Sequence, residues 1–195
     1  MRLGLATLVC IVAAAMASAA MAAERLVLAP YPAATPWKQV TNRVSGLQFL
    51  REQIPANQAI DSYRDILTAQ SFPQQRGVDP STYMRTVFQG VAGACDGVRV
   101  NGPTARQEGG HAVAYAQIYC GRQKGQPFGV VMFFKAIAGA DALYVVQREF
   151  RVSPMPVTGV TSSPEDLPAQ MAADRYLLNQ VYLCGPGSTD PRCRR

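Results

Sequence analysis

The sequence is poor in the groups on which most enzyme sites depend. It contains one histidine, His111, and no Cys-x-x-Cys pair, so the usual zinc ligand spacings are absent. It has no Gly-x-Ser-x-Gly turn and no glycine-rich loop between a strand and a helix. The adjacent acids Glu165 and Asp166 are explained by a helix start, where the helix dipole favours negative charge. We therefore predict no catalytic residue, no metal and no cofactor, which favours a non-enzymatic protein.

The single histidine lacks the setting of a catalytic base. His111 directly follows Gly109 and Gly110 at the start of a predicted strand. A catalytic imidazole needs a partner that fixes its tautomer and orientation, and glycines supply none. A Cys–His pair would also need a free thiol, whereas we expect Cys95 to be oxidised. The sequence predicts that His111 is an exposed strand-end residue without a catalytic role.

Charged residues are also scarce, at 16% of the 195 residues, while 48% are hydrophobic. A disordered chain would show the opposite balance, so a folded chain is expected. The net charge is +6, but only three of the 19 basic residues are lysines, and the arginines are spread along the chain. This pattern predicts an ordinary solvated surface or a weak attraction to anionic cell-surface components, and no nucleic-acid partner.

The N-terminus has the layout of a secretory signal. Arg2 precedes an apolar run from Leu3 to Met16, and small residues follow, with Ala20-Met21-Ala22 as the best cleavage site. The alternatives are a membrane anchor and, because of Cys10, a lipoprotein. Cleavage predicts a signal peptide over 1–22, a single domain over 23–195, no transmembrane segment afterwards, and a periplasmic or secreted protein. Its partner would be an unknown envelope protein or an anionic surface component.

Four cysteines remain after cleavage, an even number that indicates disulfide bonds in an exported protein. Cys184 and Cys193 flank a short loop rich in turn-forming residues, whose ends meet readily. That leaves Cys95 to pair with Cys120. The sequence thus predicts a disulfide-closed C-terminal tail and one bridge nearer the middle of the chain.

The strongest structural pattern is a run of three consecutive strands, predicted at His111–Cys120, Phe128–Ile137 and Leu143–Val152. Tight connections predict an antiparallel meander, and apolar residues on both faces predict cover on both faces. One helix begins at Asp79-Pro80-Ser81, and a second carries the apolar stripe Leu167, Met171, Leu178 and Val181. Residues 97–110 are predicted as a turn or loop. The predicted fold is α+β, an α/β/α sandwich with an antiparallel sheet.

Aromatic and basic residues on the predicted strands suggest a binding surface. Its candidate residues are Tyr115, Tyr119, Arg148 and Arg151. Such a face could bind sugars or aromatic ligands, and the alternative is that a helix covers these side chains.

The order of elements resembles the Mog1/PsbP-like family, which includes small periplasmic proteins of the DcrB type. The segments that carry the resemblance are Glu52–Pro55, Thr68–Phe72 and the hairpin from Phe128 to Val152. The resemblance implies a sandwich fold and an accessory or binding role rather than an enzymatic one, and it transfers no site residue. Three hypotheses remain: an envelope accessory or binding protein, a secreted inhibitor or protection factor acting on an enzyme, and a hydrolase with an unrecognised site.

The signal prediction is tested by N-terminal sequencing of the exported protein. The sequence should begin near Ala23, because cleavage follows the Ala-x-Ala pattern. Intact Met1 in a washed membrane fraction would show an anchor instead.

Overall fold

The computed structural model describes residues 23–30, 36–156, 158 and 166–194. The predicted signal peptide, 1–22, lies outside the described residues. Nine strands and two α-helices are described: β1 (Arg25–Leu28), β2 (Trp37–Ser45), β3 (Gln48–Pro55), β4 (Asp65–Phe72), α1 (Pro80–Ala94), β5 (Cys95–Glu108), β6 (His111–Gln123), β7 (Gly129–Ala138), β8 (Leu143–Val152), α2 (Leu167–Gln180) and β9 (Val181–Cys184). Neither helix is long and apolar enough to cross a membrane.

Seven strands form one antiparallel sheet in the order β2-β3-β4-β8-β7-β6-β5. The predicted meander is its centre, since β6, β7 and β8 are neighbours. A second, two-stranded sheet pairs β1 with β9, placing Arg25 opposite Cys184. The prediction of a mixed fold with a mainly antiparallel sheet is confirmed at this level.

Alternate residues of the central strands enter two separate cores, as the pleat of a sheet requires. On β7, Val131 and Phe133 belong to a core that also contains Tyr176 and Leu177 of α2; we call this side the α2 face. Val130 and Met132 belong to a core that contains Met84 of α1, here the α1 face. Each helix thus contributes to a different core cluster.

Helix α1 begins as its sequence predicts. The Asp79 carboxylate accepts a hydrogen bond from the Thr82 backbone N–H at 2.8 Å, and Pro80 occupies the first turn. An aspartate cap satisfies one of the free N–H groups at a helix start, while proline lacks the N–H that would otherwise be left free.

Two predictions about local structure were wrong. Residues 97–108 are not a loop but most of β5, an edge strand whose side chains are mostly exposed and whose pairing with β6 is irregular between Asn101 and Thr104. Gly102 adopts a φ of +97° there, so this glycine marks a bulge within the strand rather than the end of the strand. Gly109 and Gly110 form the turn into β6, as predicted. On α2, Leu167 and Met171 are exposed, and the buried residues are Gln170, Ala173, Tyr176 and Leu177.

Two disulfide bonds connect the chain. Cys95, where α1 passes into β5, is bonded to Cys120 of β6, and Cys184 at the end of β9 is bonded to Cys193. The first bridge closes a separation of 25 residues and the second a separation of nine. The first also ties the end of a helix to β6, the strand beside the edge strand β5.

Replacing Cys95 and Cys120 with serine should destabilise the protein more than replacing Cys184 and Cys193. The chain-entropy model gives about 3.5 kcal/mol for the longer loop and about 2.6 kcal/mol for the shorter one. Denaturant unfolding of the two double variants measures the difference. A larger loss for the C-terminal pair would contradict the prediction.

Candidate ligand groove

The four predicted binding residues do not form one surface. Tyr115 and Tyr119 lie on the α2 face, and Arg148 lies there too, because it stands between Val146 and Phe150 of that core. Arg151 points to the opposite face. The sequence predicts which residues of one strand share a face. Which residues of different strands share a face depends on the register between the strands, which the sequence does not show.

On the α2 face, Tyr115 belongs to a buried polar network. Its hydroxyl donates to Glu108, whose other carboxylate oxygen accepts from the Lys135 ammonium at 2.7 Å. The Lys135 ammonium also donates to the Val181 carbonyl at 2.6 Å. Burial lowers the pKa of Lys135, and the Glu108 carboxylate opposes that shift. Since these contacts tie β5, β6 and β7 to β9, the network holds the fold together.

The other two α2-face candidates are also covered. Tyr119 is buried, and the Arg99 guanidinium lies 4.5 Å from the centre of its ring. Arg148 is buried and donates from Nε to Asp65 at 2.8 Å, with a second nitrogen bonded to the other carboxylate oxygen. Burial raises the pKa of Asp65, and Arg148 opposes that rise. Tyr119 and Arg148 are therefore covered by other residues rather than exposed on a binding surface.

Arg151 alone of the four lines a concave site on the α1 face, which we call the α1 groove. The groove has a volume of about 450 Å³ and lies beside the C-terminal end of α1 and the Cys95–Cys120 disulfide. Its apolar lining includes Val91, Phe128, Val130 and Met132, and its polar lining includes Asp61, Tyr63, Gln123, Gln126, Glu149 and Arg151. Such a mixture of an apolar wall and a few converging polar groups is typical of small-molecule sites.

A stack of three side chains forms one wall of the α1 groove. The Arg151 guanidinium lies 3.7 Å from the centre of the Tyr63 ring and 4.8 Å from that of Phe128. These two cation–π contacts stabilise the position of the arginine. A second cavity of about 530 Å³ also borders these three side chains, together with Asp61 and Pro154.

Glu149 stands beside the stack, and its charge is partly compensated. It accepts hydrogen bonds from the Tyr63 hydroxyl at 2.9 Å and from the Gln147 side-chain amide at 3.2 Å. Burial raises the pKa of the Glu149 carboxyl above its usual value, while the Tyr63 hydrogen bond and the Arg151 charge oppose the rise. Burial and the Glu149 charge raise the pKa of Tyr63 to about 12. Perturbed pKa values cluster at functional sites, and they make this cleft a candidate site.

The prediction that His111 is exposed was wrong, because the side chain is buried, at 8% exposure. Its Nδ1 atom lies 3.2 Å from the Ala138 carbonyl, so Nδ1–H donates there. His111 is not among the residues that line the α1 groove. In the part of the chain that the structure describes, no group of three or more His, Cys, Asp or Glu side chains is placed to hold a metal.

No protein-family model matches the chain, and no curated protein matches it. Among solved structures, it is similar to LpqN, described as involved in cell envelope biogenesis of Mycobacterium tuberculosis. The two share 14% sequence identity over 83% of this chain and 84% of that chain, with a TM-score of 0.39. This likeness does not define a family, so the resemblance to Mog1/PsbP-like proteins stays a prediction and the function must be inferred from the chain's own residues.

Glu149→Gln should stabilise the protein at neutral pH. Because the folded-state pKa of Glu149 is raised, ionising this carboxyl costs stability, and the cost develops as the pH rises from about 4.5 through the folded-state pKa. Glutamine still accepts from Tyr63 and carries no charge. Urea unfolding should show the gain at pH about 7 and little difference at pH about 4.

Tyr63→Phe is the matched control. It removes the hydrogen bond that the Tyr63 hydroxyl donates to Glu149, and it should destabilise the protein at neutral pH. A Glu149→Gln variant that is less stable than the parent at pH about 7 would contradict the account.

Proposed function

We propose that the protein is an exported, non-enzymatic accessory or binding protein of the cell envelope that holds a small ligand in the α1 groove. The observation that carries the proposal is the groove itself, where an apolar wall faces the Tyr63–Arg151–Phe128 stack and Glu149. The two disulfide bonds support an oxidising compartment outside the cytoplasm.

The lining of the groove indicates an amphipathic ligand. Val91, Val130 and Met132 offer contact to an apolar or ring face. The exposed Asp61 carboxylate accepts hydrogen bonds, and Gln126 both donates and accepts them. The Arg151 Nε atom is buried and has no hydrogen-bond partner among the described residues. A sugar or an aromatic molecule with hydroxyl groups combines these properties.

Two features favour binding over the other hypotheses. An inhibitor loop would need free side chains, yet in the C-terminal tail Asp190 is buried and pairs with Arg192 at 2.6 Å. The tail also donates from the Thr189 backbone N–H to the Gly109 carbonyl. Against a hydrolase, both oxygens of Glu149, the acid beside the stack, accept hydrogen bonds from Tyr63 and Gln147, so this carboxyl is held by the fold.

We also infer that residues 23–195 form a single domain with α/β/α layers. Two observations support this inference: β1 and β9 pair although they lie near opposite ends of the chain, and each helix joins a different core cluster. The α1 groove then lies between one helix layer and the sheet.

Thermal unfolding of the exported protein with single sugars, amino acids, dipeptides and aromatic acids tests the proposal. A ligand present at about 100 times its Kd should stabilise the protein by about 2.7 kcal/mol. Asp61→Ala and Val91→Trp should weaken the shift, since the first removes an exposed acceptor and the second fills the groove.

Asp174→Ala is the matched control, because Asp174 lines a separate cavity beside Tyr115. It should leave the thermal shift unchanged. A shift that survives both groove variants and disappears in the control would place the ligand elsewhere and contradict the proposal.

A further inference from the structure

The hairpin formed by β2 and β3 ends in an apolar tip. Val44 and Leu47 are 62% and 55% exposed, the highest values among the large apolar side chains of the described residues. They flank Gly46, whose φ of +57° allows the tight turn between the strands. Isolated apolar residues on a surface are ordinary, but here the two most exposed ones stand at one projecting turn.

The tip extends beyond the pairing between β3 and β4, although β2 and β3 stay paired up to Ser45 and Gln48. Pairing between β3 and β4 ends at Leu50 and Gln70. Beyond that point the fully buried hydroxyl of Ser71 donates to the Leu47 carbonyl at 2.6 Å and accepts from the Phe49 backbone N–H at 3.0 Å. One side chain thus replaces two ladder hydrogen bonds and attaches the tip to β4.

The charges behind the tip are mainly positive. Between Trp37 and Pro55 the chain has three basic residues, Lys38, Arg43 and Arg51, and one acid, Glu52. Arg43 and Arg51 are exposed near the tip. Glu52 is half-buried and accepts from the Thr41 hydroxyl at 2.5 Å, so it is directed into the hairpin rather than toward the tip.

We propose that this hairpin tip docks on an anionic lipid surface. Arg43 precedes Gly46 by three residues, which places it about 10 Å back along the strand. Interfacial segments bury apolar side chains about 5–10 Å into the boundary between headgroups and acyl chains. The Arg51 guanidinium lies 5.1 Å from the centre of the Phe49 ring, and Phe49 is also three residues from Gly46. Val44 and Leu47 would therefore reach the apolar boundary while both guanidinium groups lie at the level of the lipid phosphates.

The test is sedimentation of the exported protein with vesicles of phosphatidylcholine alone and of phosphatidylcholine with 30% phosphatidylglycerol, at low and at high salt. Binding should require the anionic lipid and should weaken as salt screens the charges. Val44→Ser with Leu47→Ser should weaken it about tenfold or more, through loss of apolar burial. Arg43→Gln with Arg51→Gln should weaken it about 30-fold, at about 1 kcal/mol for each charge.

Leu167→Ser with Met171→Ser is the matched control, since these α2 residues are exposed to a similar degree. All changed residues are exposed, so each variant should keep the parent's circular dichroism. Equal sedimentation with both vesicle types, or an equal loss in the α2 control, would overturn the proposal. So would a dimer that the tip variants convert to monomer, because the tip would then join two copies of the chain. Neither result bears on ligand binding in the α1 groove.

Discussion

Strand β7 is buried on both faces from Gly129 to Ile137, and this constrains the rest of the fold. Because neither face meets water, each needs a core of its own. On the α2 face the core also contains a charged side chain, because Lys135 of β7 is fully buried and its ammonium donates to the Val181 carbonyl of β9. Glu108 and the Val181 carbonyl compensate that charge. Removing the Glu108 carboxylate would leave a buried ammonium poorly paired, which is more costly than losing an ordinary contact.

The α1 groove follows from the same constraint on the other face. Helix α1 has 15 residues and is about 22 Å long, whereas the ten residues of β7 extend about 33 Å. The helix ends at Ala94, where Cys95 turns the chain into β5 and is bonded to Cys120. Beyond that point the sheet is bordered by the Arg151 stack instead of a helix, which leaves a concave site with both apolar and polar walls.

The sequence predicted the centre of the fold better than its edges. Long apolar runs identified β6, β7 and β8, and Asp79-Pro80 identified the start of α1. Strand β5 was missed because its side chains are mostly exposed and Gly97 and Gly102 suggest turns. For the site, Arg151 was among the candidates but Tyr63 and Glu149 were not. A signal for Glu149 existed, since Gln147, Glu149 and Arg151 form a polar stripe on one side of an apolar strand. Tyr63 reaches that stripe only through tertiary packing, which no local pattern predicts.

The most direct test of the central claim is the amide NMR spectrum of the protein titrated with a small-molecule extract of the cells that produce it. Ligand binding in the α1 groove predicts shifts that cluster at residues 61–63, 91–95, 123–132 and 149–151, which approach the stack from four segments of the chain. Shifts confined to the C-terminal tail, 185–194, or an unchanged spectrum at saturating extract, would contradict it.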